Sequence, residues 1–201
     1  IHDWGYTLPA PRRVIAVAGR LVGLGVLVTT VVVGYLGPET GYRNLAILVV
    51  WVGWWGGYVA STYLLGNTWP TLNPFRTIGA TLPSFDRPFP ERLSAWPSVA
   101  GLLALIWIEV VSPLADDPRL LATTLLAYTV VSGVGTVIYG VDTWFDRVDP
   151  IARIFGLFGR FAPITRTDDG LSVRLPGSGL TDPGVVDGRA EMVFVVAVLY
   201  V

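Results

Sequence analysis

The chain contains no cysteine, which excludes disulfides, thiolate metal sites and a cysteine nucleophile while leaving the redox compartment open. It contains no lysine either, so all 14 basic residues are arginine. Histidine occurs once, as His2, and no His-rich zinc or haem site can be assembled from this chain alone. Charged residues make up 14% of the 201 positions, against roughly a quarter in a soluble domain. The net charge is −1, so no strongly basic surface advertises nucleic acid as a partner. No P-loop, dinucleotide fingerprint, nucleophile elbow or HExxH is present, and no residue pattern names a cofactor. Lysine-free loops with acidic pairs such as Asp116-Asp117 suggest a GC-rich genome and a high-salt cytoplasm, and codon bias alone gives the same pattern.

What is present is apolar. Hydrophobic residues form 52% of the chain and the mean hydropathy is +0.58, in long uncharged blocks that point to lipid as the main solvent. Crossing a hydrocarbon layer of ~30 Å takes about 20 mostly apolar helical residues. Four segments meet that length, at about 17–37, 45–65, 97–114 and 120–140, and a fifth opens at 190–201. The expected fold is therefore all-α, a polytopic transmembrane helical bundle in the plasma membrane with interfacial amphipathic helices. A signal peptide at the first block is disfavoured by its length, the lack of a small-residue cleavage pattern and the spans that follow. The single methionine is Met192, and residues 190–201 cover about half of a membrane helix. A processed or partial chain is expected.

Arginine placement orients the spans. With four crossings, twelve arginines fall on one side and only Arg43 and Arg119 on the other. That bias predicts a cytoplasmic N-terminus for this segment. The same-side loops have features of their own. Asn73 before Pro74 reads as a helix N-cap with proline at the first position, which predicts an interfacial helix over 74–82. Residues 142–161 are amphipathic, with Ile151, Ile154, Phe155, Phe158 and Phe161 on one face. Such a face lies in the membrane interface or packs on the protein's own inner loops. Residues 165–188 read as a polar loop with one short hairpin.

Several residues could carry function. Glu109 is the one acid inside a span, and intramembrane carboxylates mark ion paths or structural ion pairs. Arg119, at the start of the next helix, is its natural partner. In the second span Trp51, Trp54, Trp55 and Tyr58 recur at helical spacing beside Gly53 and Gly57, a small-xxx-small pair. Helix packing explains that stripe better than a cofactor platform does. Gly19, Gly23, Thr129, Gly133 and Gly135 offer further close-approach surfaces, and Trp69, Trp96 and Trp144 read as interfacial anchors. Asp142, Asp146 and Asp149 line up after span four and could hold a divalent cation, although Arg147 and Arg153 lie close by and acids suit a helix N-terminus.

The run Trp69-Pro70-Thr71-Leu72-Asn73-Pro74-Phe75-Arg76-Thr77 resembles the W-x-x-L-N-P-x-R-T stretch of a prokaryotic polytopic membrane-protein family often labelled fenitrothion hydrolase-like. Trp107-Ile108-Glu109-Val110-Val111 before Asp117-Pro118, and Thr143-Trp144-Phe145 leading to Arg160-Phe161-Ala162-Pro163, resemble it more loosely. The resemblance covers about Leu36–Pro163. It implies a longer protein with further spans on both sides, and marks Asn73, Arg76 and Glu109 as landmarks. The label implies organophosphate ester hydrolysis, whose usual metal ligands this segment does not show.

Three functions follow from these features. The first expected is an accessory membrane subunit, packing against the lipid bilayer and against transmembrane helices of its own further segments or of other subunits. An ion- or proton-coupled transport component using Glu109 is the alternative. A membrane-bound hydrolase with its site mostly outside this segment is the third.

Overall fold

The computed structural model describes residues 12–167, 170–182, 184–186 and 188–200; His2 lies outside them. In chain order the elements are α1 (Arg12–Leu36), α2 (Leu45–Leu65), α3 (Trp69–Leu72) and α4 (Pro74–Gly79). There follow α5 (Trp96–Val111), α6 (Pro118–Tyr139), α7 (141–148) and α8 (Pro150–Phe158). A hairpin of β1 (Ile164–Thr167) and β2 (Gly170–Val173) and the helix α9 (Arg189–Tyr200) close the described chain. The two strands pair antiparallel from Ile164↔Val173 to Thr167↔Gly170. The fold is all-α apart from that hairpin.

Among the described residues three helices, α1, α2 and α6, are long and apolar enough to cross a membrane. The third expected span is shorter. α5 has 16 residues, or about 24 Å at 1.5 Å per residue. It stops because Pro113 drives the residue before it out of the helical region, and Ser112 is extended at φ −106°, ψ 159°. α2 departs from the expected α-helix differently: Leu48–Tyr58, 11 residues, is π-helical. Its wider turn separates side chains that α-helical spacing would align.

Contacts place the helix ends in two groups. At one end Asn44, fully buried, ties three segments together. Its Nδ2 donates to the Val33 and Pro38 carbonyls at 3.1 and 2.8 Å, while its Oδ1 accepts from the Ala46 amide at 2.8 Å. Asp117 caps α6 there by accepting from the Leu120 amide at 2.9 Å, and Ala46, Ile47, Leu114 and Leu121 form the local core. The opposite end gathers the start of α1, the ends of α2 and α6, and α3, α4, α7 and α8. The proline-rich loop closes the α6 terminus, where Phe85 and Arg87 donate to the Val137 and Ile138 carbonyls at 2.8 and 2.9 Å.

The two short helical pairs at that end do not lie flat. Gly23, near the middle of α1, meets the backbone of Leu72 so closely that a Cβ there would stand 1.8 Å from the Leu72 carbonyl oxygen. Gly19 faces the Thr71 side chain, where a Cβ would stand 2.6 Å from the threonine methyl and 3.4 Å from its carbonyl oxygen. Phe75 is buried, with its ring centroid 4.7 Å from that of Tyr128 at the middle of α6. The expected surface helix over 74–82 is thus a hairpin of two short helices, α3 and α4, tucked into the bundle. α8 does the same: Pro150 packs on Gly101 and Ile154 joins Val99, Leu102 and Phe194 in a second core cluster. Its apolar face meets the protein, not a lipid surface, because α5 and α9 present matching apolar residues.

The Gly23 contact yields the first prediction. Overpacking of this kind costs about 1–3 kcal/mol, beyond the small gain in helix propensity. Gly23→Ala lowers the thermal midpoint of the detergent-solubilised protein, whereas Gly25→Ala, with nothing within 4 Å of its added Cβ, does not. Equal midpoints for the two variants would remove α3 from the face of α1.

Candidate functional site

Two Asx-Pro junctions organise the arginine-rich end. Asn73 leaves the helical region at φ −61°, ψ 110° and its side chain accepts from the Arg76 amide at 3.0 Å. Asp149 does so at φ −67°, ψ 115°, accepting from the Ala152 amide at 2.7 Å. In each case proline supplies the first helical residue, where no amide hydrogen is needed. Both cap side chains are buried. The second carboxylate oxygen of Asp149 accepts from the Tyr128 hydroxyl.

Between these junctions lies a recess of about 660 Å³. Four guanidinium groups line it, from Arg76, Arg147, Arg153 and Arg160, against three carboxylates, from Glu91, Asp146 and Glu191. Arg76 pairs with Asp142 and lies 3.7 Å from Asp146. Arg153 donates to the Asp146 carbonyl at 3.2 Å and sits 5.0 Å over the Phe194 ring, and its Nε is buried without an acceptor. Burial pulls the Arg153 guanidinium below its ordinary range, with Glu191 and Asp146 opposing. Burial lifts Asp146, against the pull of Arg76. Among the described residues, Arg147, Arg153 and Arg160 have no carboxylate within salt-bridge distance.

A second, mostly apolar cavity of about 470 Å³ is lined by α1, α2, α5 and α6. Trp69 lines both cavities. Its ring lies 5.7 Å from Trp54, 5.5 Å from Tyr58 and 5.0 Å from Phe155, and it is 6% exposed. It is therefore a buried partition and not the interfacial anchor expected from the sequence. Trp96 is exposed as such an anchor would be, while Trp144 presses its ring on Gly135.

The remaining sequence candidates fall into place around these cavities. Asn73 and Arg76 line the recess. Glu109 is exposed near the end of α5 and lines the apolar cavity. Its expected partner Arg119 pairs instead with Glu39 at 3.1 Å, since the α1–α2 turn brings Glu39 to the start of α6. The aromatic stripe of α2 is divided by the π-helical turn. Trp51 packs on the core cluster at the Asn44 end, Trp54 and Tyr58 on Trp69 and Phe155, and Trp55 is exposed. Among the described residues Gly53 and Gly57 admit no other helix: added Cβ atoms would meet α2's own carbonyls, at 3.8 and 3.5 Å. The three aspartates read as a cation candidate do not converge. Asp142 and Asp146 flank Arg76 while Asp149 is buried against Tyr128. Among the described residues no group of three His, Cys, Asp or Glu could hold a metal. Arg153, which the sequence offers only as a basic neighbour of the three aspartates, lines the recess beside Arg76.

Compared with known protein families, with curated proteins and with solved structures, the chain matches none.

Asp149 yields a pH prediction. Burial raises its carboxyl from 3.8 to about 6, with the Tyr128 hydroxyl and the Ala152 and Ile151 amides pulling the other way. The folded chain therefore holds this proton more tightly than the unfolded chain does. The contribution is complete below the unfolded value and is lost as pH rises through the folded one. Between about pH 4.5 and about pH 7.5, the thermal midpoint of the native protein falls more than that of Asp149→Asn, which keeps the cap acceptor. Parallel curves for the two proteins would contradict a proton held at this site.

Proposed function

We propose that this chain belongs to a multi-pass membrane transport or permeation protein whose solute passes between the arginine-lined recess and the apolar cavity. The observation that supports this most is Trp69, a buried side chain that forms part of the wall of both spaces. Helices broken inside a bundle, with binding residues at the breaks, are a recurrent construction in transporters. Trp54 and Trp69 also carry buried indole N–H groups with no protein acceptor among the described residues, which gives a polar solute donors along an otherwise apolar wall. In this reading α5 is a fourth crossing, and the arginine-rich end is cytoplasmic by the positive-inside rule. Glu109 is the ionisable group of the apolar cavity.

A second reading rests on a different surface. The open Gly53 and Gly57 face of α2, beside the exposed Trp55, suits close approach by a transmembrane helix of another segment or subunit. Both roles can coexist in one assembly.

The transport reading is tested by flux in proteoliposomes. Trp69→Ala raises passive leak of small anions several-fold, and Glu109→Gln removes the dependence of flux on a proton gradient. Unchanged leak and unchanged coupling in both variants would leave the accessory role as the function of the chain.

A further inference from the structure

The two broken hairpins share more than a fold. Thr68-Trp69, Asn73-Pro74 and the following Arg76 of the first have counterparts in Thr143-Trp144, Asp149-Pro150 and the following Arg153 of the second. The correspondence extends upstream. Asn44 caps α2 as Asp117 caps α6, each accepting a backbone amide. Gly66 ends α2 at φ +85° and Gly140 ends α6 at φ +84°, both with extended ψ. From Asn44/Asp117 through Gly66/Gly140 and Trp69/Trp144 to Asn73/Asp149 the separation runs 73, 74, 75 and 76 residues. A spacing that drifts by single residues while residue type and local geometry are kept is what duplication followed by small insertions leaves. Each unit is two long helices and one broken hairpin: α1, α2, α3–α4 in the first, and α5, α6, α7–α8 in the second. Because each holds two helices that run the bundle's length, the units point the same way, the arrangement of a parallel repeat.

The duplication gives the recess a meaning that neither hairpin has alone. Arg76 stands three residues after its cap and Arg153 four residues after its own, and both line the same space. Each is held from the side. Arg76 is fixed by Asp142 and Arg153 by the Asp146 carbonyl and the Phe194 ring. Asp146, which lies between them, Glu91, and Glu191, which accepts from Ser94 at 2.8 Å, together with Asp142 on Arg76, equal the four guanidinium groups in number, so the recess would select by its donor forks and not by net charge. Arg147 and Arg160 add guanidinium groups free of carboxylate partners among the described residues. Planar donor forks lining one recess from two sides offer the donors that the oxygens of a tetrahedral oxyanion accept.

We infer that the chain is an internal duplication and that the recess between its two units binds a phosphate-type oxyanion, one arginine coming from each unit. This rests on the recess being the solute's way in, as proposed above, but it is read by binding alone and does not need flux. The shared chemistry is the phosphate group, either free or on a lipid. The full chain is reconstituted in zwitterionic nanodiscs and titrated calorimetrically with inorganic phosphate, and in parallel with nanodiscs containing phosphatidate.

Saturable binding of phosphate is expected, weakened by about tenfold to a hundredfold in both Arg76→Gln and Arg153→Gln. Arg43→Gln, at the opposite end, leaves it unchanged. If Arg76→Gln loses its thermal transition, Arg76→Lys keeps the pairing with Asp142 and still weakens binding by losing the planar fork. Binding of phosphatidate alone, with the same two arginines required, supports the site and identifies a lipid as the source. No binding of either, or equal loss in Arg43→Gln, overturns the proposal. If binding is retained while flux is absent, the site survives and the transport reading falls.

Discussion

Helical backbone breaks twice inside this bundle, and each break turns amide groups toward a surrounding that offers little water. In an apolar medium an unpaired amide is expensive enough that irregular backbone persists only where protein satisfies it. Asn73 and Asp149 meet that requirement with the same device: a short side chain that accepts the third amide of the next helix, followed by a proline that has no amide to satisfy. Once those two residues are in place, much else is constrained. Gly23 must lack a side chain for α3 to approach α1, Tyr128 must present its hydroxyl to Asp149, and Arg76 and Arg153 are carried into a common recess.

The cap at Asp149 differs from that at Asn73 in one respect with chemical consequences. Asparagine is neutral at every pH, whereas an aspartate in the same role is a buried acid whose proton affinity is raised to about 6. The two halves of the arginine-rich end are therefore alike in backbone and unlike in charge. The cap in the second half carries a titratable group, while the cap in the first does not.

The long apolar runs were legible because burial in lipid needs a length and a hydropathy that few other environments demand, and α1, α2 and α6 lie where those runs predict. The cap at Asn73 was legible too, since Asn-Pro carries its mechanism in two residues. The depth of the hairpins was not. Nothing local distinguishes an amphipathic helix that lies on lipid from one that tucks under its own neighbours; the decision is made by Gly23, Phe194 and Tyr128, distant in sequence. The π-helical stretch of α2 defeated the aromatic stripe for a similar reason, because periodicity was read at the α-helical turn. Glu39 took Arg119 from Glu109 through a turn whose geometry the sequence does not spell out. Arg153 carries no local signal of its own, and only the fold brings it into the recess with Arg76.

The central claim is that the first hairpin enters the bundle to the level of mid-α1, and the absence of native cysteine makes a direct test clean. Gly19→Cys with Thr71→Cys places two thiols where the added Cβ would lie 2.6 Å from the threonine methyl. Gly25→Cys with Thr71→Cys, in which a Cβ at Gly25 has nothing within 4 Å, serves as the reference pair. Oxidation in native membranes is predicted to cross-link the 19/71 pair and not the 25/71 pair, seen as loss of free thiol on the first double variant alone. Thiols at 19 and 71 that remain free under that oxidation would contradict the account.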